Sequence, residues 1–300
     1  REKGIKKSLL FSYMNKEIER IKVMMSNKKV SNFVVDNLKK SLVLIGYSKE
    51  LIVDLIKCFR ESNFEGFQVR HLKELENVHS IGFFQRIVPR YFGKQVIPNI
   101  PSSKRIVDIG CGTGILAHKL SESKRFNQIT GIDINSYPEW DKFTEKKVIF
   151  KVIKEKDFGK FLRDYKPETI VLTWTLHHMK FGEQEKYLKE IYSILDEVTI
   201  IVLEDSFSVR MVPENDIGVA ESFNKLNLEE KNNVMSILDW VANRILERRD
   251  KIPIPFAYRT LEDWQRLFEK IGFKLIEKRY IGFPEDRDIN TPQSLIIVKR

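Results

Sequence analysis

Cysteine is scarce in this chain, and its scarcity excludes two kinds of protein. Cys58 and Cys111 are the two cysteines among 300 residues, too few for a disulfide-built scaffold or a cysteine-built zinc site. Long apolar runs are also missing. Stretches such as 199–203 fall far short of the roughly 20 residues that cross a bilayer, and no apolar signal region follows Arg1. We therefore expect a protein of the reducing cytoplasm with no membrane partner.

Blocks of like charge are missing as well, although the chain is basic overall. Lys and Arg number 52 against 42 Asp and Glu, a formal net charge of +10. No run of five like charges occurs, and basic and acidic residues are interleaved. The charge permits RNA, an acidic surface or an anionic small molecule as partner and selects none of them. A composition with 42% hydrophobic and 31% charged residues excludes a disordered or fibrous chain.

The spacing of apolar residues divides the chain into two regions. Over residues 1–95 apolar side chains recur at intervals of three and four, which predicts helices, the first of them over 9–24. From residue 96 onward, short β-branched runs alternate with helical segments. This alternation predicts an α/β domain over 96–300 with a mostly parallel sheet and helices on both faces. A mostly helical insert interrupts it at about 207–258.

Seven strands and four intervening helices are predicted in the second region. The strands are expected at 105–109, 128–134, 148–153, 169–174, 199–203, 273–281 and 294–299. The helices are expected at 115–122, 157–165, 183–195 and 261–271. Right-handed crossovers between parallel strands then fix much of the topology.

Three glycines at a spacing of two follow the first predicted strand. Gly110, Gly112 and Gly114 lie between that strand and the next helix, and Asp108 precedes them. Glycine permits a tight turn and lets a ligand approach bare backbone, while the helix start offers unpaired N–H groups. The spacing differs from the G-x-G-x-x-G dinucleotide fingerprint, and no P-loop Gly-Lys-Ser/Thr follows. The pattern therefore indicates a ligand loop of another kind.

Asp133 ends the second predicted strand, where a carboxylate can accept hydrogen bonds from both hydroxyls of a ribose. Together with Asp108 and the three glycines, it resembles the class I S-adenosylmethionine-dependent methyltransferases. The resemblance covers about residues 95–300 apart from the insert. It implies a Rossmann-like seven-stranded sheet with an antiparallel last strand. It also implies S-adenosylmethionine as cofactor, with the loop backbone holding the methionine part and Asp133 the ribose.

Two further cofactor contacts come from the resemblance alone. An acidic residue after the third strand often reaches the adenine amino group in this family, and Asp157 is the nearest match, with Glu155 as the competing residue. Thr175, in the loop after the fourth strand, is expected to line the cofactor as well.

The loop after the fourth predicted strand carries the first candidates for chemistry. His177 and His178 stand in a Leu-His-His-Met segment that resembles a loop common in methyltransferases acting on metabolites. The loop lacks the Asn/Asp-Pro-Pro-Tyr/Phe sequence typical of enzymes that methylate exocyclic amines of bases. Histidine can act as a base near neutral pH. Either histidine is therefore a candidate base or orienting group, with packing of the loop as the alternative.

Glu204 and Arg259 are the remaining candidates at the same edge of the predicted sheet. Glu204 ends the fifth strand and is followed by Asp205, and this carboxylate pair can bind a cationic or hydroxylated acceptor or orient a histidine. Arg259 precedes the last predicted helix and can bind a carboxylate or phosphate. The alternatives are a solvated strand end for Glu204 and an ion pair with Glu262 or Asp263 for Arg259. No metal site is expected.

These features lead to one leading prediction and two alternatives. The leading prediction is a methyltransferase acting on a small molecule at an oxygen, nitrogen or carbon atom, with the acceptor anionic if Arg259 binds it. Residues 1–95 and the insert are expected to enclose that acceptor. An RNA methyltransferase is the first alternative, favoured by the net charge. A non-catalytic binding module that retains the cofactor fold is the second, and the intact glycine motif argues against it.

Overall fold

The computed structural model describes residues 15–143, 147–214, 219–250, 252–284 and 291–300. It consists of two compact units. The helical unit combines Arg1–Phe83, Asn215–Ile254 and Phe283–Thr291, and the sheet unit combines Phe84–Glu214, Pro255–Gly282 and Pro292–Arg300. The predicted boundary at residue 95 and the enclosing role of residues 1–95 and the insert stay predictions.

Helices occupy most of the first third of the chain and alternate with strands thereafter. The described part of the first helix, α1, covers residues 15–25, and the 9–14 part of the predicted helix lies outside the described residues. The others are α2 (Lys28–Ile45), α3 (Lys49–Glu61), α4 (Phe64–Arg70), α5 (Leu72–Asn77), α6 (Val88–Gln95), α7 (Ile115–Ser121), α8 (Glu155–Tyr165), α9 (Phe181–Ile194), α10 (Val219–Asn224), α11 (Leu228–Trp240) and α12 (Leu261–Ile271). Two π-helices, Val78–Ile87 and Val241–Leu246, continue α5 and α11.

The helical unit is held by capped helices and a buried ion pair. The Asn27 side chain accepts from the N–H groups of Lys29 and Val30 and so begins α2. Glu17 and Arg244 are both buried and form a double hydrogen bond, with the Arg244 Nε and Nη2 atoms each 2.9 Å from a Glu17 oxygen. The Trp240 indole N–H also donates to Glu17. A buried carboxylate is tolerated here because every partner around it is a donor.

Seven strands form one mixed sheet in the sheet unit. They are β1 (Ser103–Ile109), β2 (Phe126–Asp133), β3 (Val148–Val152), β4 (Thr169–Thr173), β5 (Thr199–Asp205), β6 (Lys274–Gly282) and β7 (Gln293–Lys299). Their order is β3-β2-β1-β4-β5-β7-β6. Strands β1 to β5 are parallel, and β7 is antiparallel to both β5 and β6. The predicted fold class is confirmed, and each predicted strand boundary agrees to within two residues.

The strand order places four loops at one edge of the sheet. Since β1 lies between β2 and β4, the chain reverses its direction of winding beside β1, where α/β sheets bind ligands. Every residue of β4 is buried, as expected for a central strand covered on both faces. The loops after β1, β2, β4 and β5 therefore meet over a rigid support. None of the described helices combines the length and hydropathy required to span a membrane.

Candidate functional site

The loop after β1, residues 110–114, is named the glycine loop. Gly110, Gly112 and Gly114 all have positive φ angles, of 68°, 51° and 84°. A Cβ atom on Gly110 would lie 2.5 Å from the Thr175 Cγ2 atom, and one on Gly114 would lie 2.5 Å from Phe150 Cε1. A Cβ on Gly112 would meet no described atom within 4 Å. Packing thus explains the outer two glycines, whereas Gly112 borders open space that suits a ligand.

Asp133 lies directly beside the glycine loop, as the strand order requires. Its Oδ2 accepts from the Gly112 N–H at 3.1 Å and its Oδ1 from the Asn135 N–H at 2.9 Å. The two oxygens of a carboxylate together accept about four hydrogen bonds. Asp133 can therefore hold the loop and still accept from a ribose, and its ribose role stays a prediction.

Asp108 is the buried carboxylate of the site. It is 1% exposed, and among the described residues neither oxygen has a hydrogen-bond partner of good geometry. Burial, together with the negative charge of Asp133, raises the pKa of Asp108 to about 7, and the Ala117 N–H opposes this rise in part. A buried carboxyl without partners costs free energy that a cation nearby would recover. S-adenosylmethionine carries a sulfonium and an ammonium group, so Asp108 and the open side of Gly112 fit this cofactor.

Trp140 is a neighbour of the glycine loop that the sequence analysis missed. Its indole N–H donates to the Gly112 carbonyl oxygen at 2.8 Å, and its ring stacks on Phe150 at 5.1 Å. Gly112 is therefore held by Asp133 at its N–H and by Trp140 at its oxygen. The aromatic content of the segment after β2 is visible in the sequence, but no spacing rule connects it with the glycines.

The two acidic candidates for adenine lie on the exposed first turn of α8. Asp157 is exposed, and Glu155 forms an exposed ion pair with Lys186 at 3.2 Å. The β3 residue paired with Asp133 is Val152, so the chain between Val152 and α8 does pass close to the predicted ribose position. No described contact joins Asp157 to the glycine loop, and the adenine assignment stays a prediction.

A buried histidine–carboxylate pair occupies the loop after β4. This loop, residues 174–179, is named the histidine loop. The His177 Nδ1 and Glu204 Oε2 atoms are 2.5 Å apart, and the two side chains are 3% and 1% exposed. The other Glu204 oxygen accepts from the N–H groups of Thr175 and Leu176 at 2.9 and 2.6 Å. Glu204 is thus no solvated strand end: it orients His177 and closes the turn that carries it.

Thr175 joins the histidine loop to the glycine loop. Its hydroxyl lies within hydrogen-bond distance of the carbonyl oxygens of Ile109 and Thr173, at 3.1 and 2.9 Å. Its methyl group fills the space that a side chain on Gly110 would need. The prediction that Thr175 lines the cofactor is untested, but its place between the two loops agrees with that role.

Trp174 begins the histidine loop in a left-handed conformation, with φ at 50°. Its indole N–H donates to Gln293 Oε1 at 2.6 Å, and the Gln293 amide donates in turn to Asp205 Oδ1 at 2.5 Å. Asp205 therefore contacts β7, whereas Glu204 contacts the loop. Side chains alternate across a strand, which explains why the two adjacent carboxylates serve different partners.

Arg259 is held by groups of the sheet unit other than the predicted acidic partners. Its Nε donates to Gln184 Oε1 at 2.6 Å, and its guanidinium lies 4.6 Å above the Phe181 ring and 5.6 Å from that of Trp264. Within the described part of the chain it forms no ion pair with Glu262 or Asp263, which bind Ser208 and Arg266. The role of Arg259 in binding an anionic acceptor stays a prediction.

The predicted site residues lie in two groups, and His178 belongs to the group around the histidine loop. The His178 ring lies 4.2 Å from that of His177 and is partly exposed. The structure thus brings together His177, His178, Glu204 and Thr175, and separately Gly112, Asp133 and Asp108. It connects Arg259 to the histidine loop through Gln184, a residue for which the sequence carries no distinctive signal.

Several solved structures resemble this chain at low sequence identity. A methyltransferase from Archaeoglobus fulgidus is 16% identical, with 72% of this chain and 94% of that one covered and a TM-score of 0.47. The 1,6-didemethyltoxoflavin-N1-methyltransferase of Burkholderia thailandensis is 13% identical, with coverages of 79% and 86% and a TM-score of 0.43. A Nostoc punctiforme protein whose name proposes O-methyltransferase activity is 14% identical, with 78% of this chain and 60% of that one covered and a TM-score of 0.42.

No curated protein sequence matches the chain significantly. The sequence profile of the methyltransferase domain matches residues 78–278, about two thirds of the chain, and this match includes the glycine loop, Asp133 and the histidine loop. Sheet order, glycine motif and profile agree, and the chain therefore belongs to the methyltransferase-domain family as a class I S-adenosylmethionine-dependent methyltransferase.

Proposed function

We propose that this enzyme methylates a small-molecule acceptor at an oxygen, nitrogen or carbon atom, and that His177 orients the acceptor or accepts its proton. The observation that carries the proposal is the buried His177–Glu204 pair, 2.5 Å apart, in the loop beside the glycine loop. A buried carboxylate that fixes one imidazole nitrogen is a feature of histidines that exchange protons.

The pair indicates which nitrogen of neutral His177 carries the proton. An ionised carboxylate only accepts hydrogen bonds, so the Glu204 contact places the proton of neutral His177 on Nδ1. The lone pair of this tautomer is on Nε2, and proton transfer by His177 would use that nitrogen. Glu204 also stabilises the imidazolium that results. S-adenosylmethionine, when bound, supplies the activated methyl group, and the residues of the chain mainly position the acceptor.

The interleaved charges support a small molecule over RNA. Proteins that hold RNA need a basic stripe along the backbone of the nucleic acid, and the sequence contains no run of five like charges. The Leu-His-His segment, common among methyltransferases that act on metabolites, points the same way. The experiment therefore tests methylation of a small molecule against methylation of RNA.

The test is transfer of a radiolabelled methyl group to two fractions of a cell extract. The full chain is incubated with labelled S-adenosylmethionine and either total RNA or the fraction below 3 kDa. We expect label in the small-molecule fraction. His177→Asn should reduce transfer by roughly 10²- to 10⁴-fold, the usual contribution of a general base, while the dissociation constant for S-adenosylhomocysteine stays within twofold.

His71→Asn is the matched control, because His71 is also partly buried and also contacts a carboxylate, that of Asp54, at 3.0 Å. It should leave transfer unchanged. Label in RNA alone would overturn the small-molecule proposal. Full transfer by His177→Asn would overturn the role of His177 and leave the pair as a support of the loop.

A further inference from the structure

The Gln184 amide uses both its oxygen and its nitrogen in hydrogen bonds next to the histidine loop. Gln184 lies in the first turn of α9 and is fully buried. Its Nε2 lies 3.1, 3.0 and 3.2 Å from the carbonyl oxygens of Leu176, Met179 and Ala257, and these three acceptors share its two N–H groups. Its Oε1 accepts from Arg259 Nε at 2.6 Å. Both ends of the amide are therefore used, and none of these bonds is to solvent.

Two of these carbonyls bracket the histidines. The short 3₁₀ turn Leu176–His178 carries His177, and the carbonyls of Leu176 and Met179 lie at its two ends. Glu204 holds the same turn from its N–H side, through Thr175 and Leu176. The turn is thus fixed by a carboxylate on its donor groups and by an amide on its acceptor groups.

Arg259 and the three carbonyl oxygens favour the same orientation of the Gln184 amide. An amide rotated by half a turn would exchange its oxygen and its NH₂ group at almost no steric cost. Here the rotated amide would direct its oxygen at three carbonyls and its NH₂ at a guanidinium, so donors would face donors and acceptors would face acceptors. The Phe181 and Trp264 rings beside Arg259 hold the guanidinium in place. Arg259 therefore contributes to the orientation of Gln184 together with these carbonyls.

We infer that Gln184 and Arg259 are positioning residues that fix the orientation of His177 through the backbone of the histidine loop. Arg259 acts through Gln184 and Gln184 acts through the carbonyls of Leu176 and Met179. Neither residue needs to touch the acceptor. The inference deepens the proposed function and rests on it only for the consequence in methyl transfer.

The experiment uses the full chain with ¹⁵N-labelled histidine, five of which are present. The His177 ring signals are assigned by their loss in His177→Asn. Nitrogen chemical shifts report the tautomer and the titration of each imidazole. We expect a single Nδ1-protonated form of neutral His177 in the unaltered protein. In Arg259→Gln and Gln184→Leu we expect mixed tautomers or a titration midpoint displaced by at least 0.5 pH unit.

Methyl transfer is measured beside the spectra. Both variants should lose at least fivefold in transfer, with S-adenosylhomocysteine affinity within twofold of the unaltered protein. Arg266→Gln is the matched control, since Arg266 lies on α12, the helix that Arg259 precedes, in an exposed ion pair with Asp263. It should change neither the spectra nor transfer. Arg259→Gln leaves the buried amide in place, so it tests the inference even where Gln184→Leu fails to fold.

The outcomes separate this inference from the proposed function. Unchanged His177 signals in Arg259→Gln would overturn the positioning role whatever happens to transfer. Altered His177 signals with full transfer would support positioning and overturn the catalytic role of His177. Altered signals with reduced transfer support both. Restoration of the signals by Arg259→Lys would show that a donor at this place, rather than the guanidinium shape, is what orients the amide.

Discussion

The glycine loop and the histidine loop lie at the same edge of one sheet, yet the buried polar groups beside them differ in how fully they are hydrogen-bonded. At the glycine loop, Gly112 borders open space, and Asp108 in the preceding strand β1 is buried without a good hydrogen-bond partner among the described residues. At the histidine loop, the carboxylate of Glu204 in β5 and the amide of Gln184 in α9 are each hydrogen-bonded to several groups of the protein. At the glycine loop a buried carboxyl is left for a ligand to contact. At the histidine loop the buried polar groups stabilise the loop itself.

This difference separates two kinds of functional residue. A group reserved for a ligand lowers the stability of the empty protein and is rewarded only when the ligand binds. A group bonded within the protein stabilises one geometry in advance, which is what a positioned base requires. Substitutions in the glycine loop should therefore change cofactor affinity, and those in the histidine loop should change transfer.

The largest effect is expected for Gly112→Val. A β-branched residue at φ 51° costs roughly 1–2 kcal/mol in the backbone alone, and its side chain would occupy the open space on the ligand side. We expect the dissociation constant for S-adenosylhomocysteine, measured by calorimetry, to rise by at least about 100-fold.

Gly182→Val is the control for this substitution. Gly182 also has nothing described within 4 Å of its Cβ position, but it lies on α9 without a positive φ. Gly182→Val should bind S-adenosylhomocysteine with the affinity of the unaltered protein. Binding by Gly112→Val within threefold of normal would show that the cofactor does not pass this glycine.

The next effect is expected for Asp133→Ala. Loss of hydrogen bonds to a charged acceptor costs roughly 1.5–3 kcal/mol, so S-adenosylhomocysteine should bind about 10- to 100-fold more weakly. Asp157→Ala makes the comparison sharp, because Asp157 is an exposed carboxylate on the neighbouring strand connection. If Asp157 binds adenine, Asp157→Ala should bind S-adenosylhomocysteine a few-fold more weakly. An affinity equal to that of the unaltered protein would exclude Asp157 from the site. Unchanged binding by Asp133→Ala would be the result that contradicts the ribose assignment.

The fold could be predicted from the sequence because its signals are local. Period-two runs, helical spacing and the glycine motif depend on neighbours in the chain, and the strand order follows from right-handed crossovers. Asp133 was reachable for the same reason, since it ends a strand at a fixed distance from the glycines.

The supports of the site could not be predicted, because they depend on residues far apart in the chain. Gln184 is one polar residue on an amphipathic helix, and only the packing of α9 shows that it meets Arg259. The alternative of an ion pair between Arg259 and Glu262 or Asp263 rested on sequence proximity. The structure instead pairs Glu262 with Ser208 and gives Arg259 an amide and two aromatic rings. Trp140 was missed for the same reason.

The smallest expected effect concerns Asp108 and appears in stability as a function of pH. Burial and Asp133 raise its pKa from the model-compound value of 3.8 to about 7 in the folded state. The folded state therefore binds the proton more tightly than the unfolded state. The protonated carboxyl therefore contributes to the free energy of unfolding at low pH, and this contribution is lost as the pH rises from about 4 through 7. Between pH 6 and pH 8 the expected loss is about 1.4 kcal/mol.

Asp108→Asn removes this titration while keeping the shape of the side chain. Relative to the unaltered protein without cofactor, the variant should gain about 1.4 kcal/mol in free energy of unfolding between pH 6 and pH 8, measured with urea. Asp164→Asn, at an exposed position of α8, should show no such gain. A flat difference for Asp108→Asn would mean that the carboxyl does not titrate between pH 6 and pH 8 in the folded protein. Asp108 would then no longer support the contrast between a glycine loop with a buried carboxyl left for its ligand and a histidine loop whose polar groups are bonded within the protein.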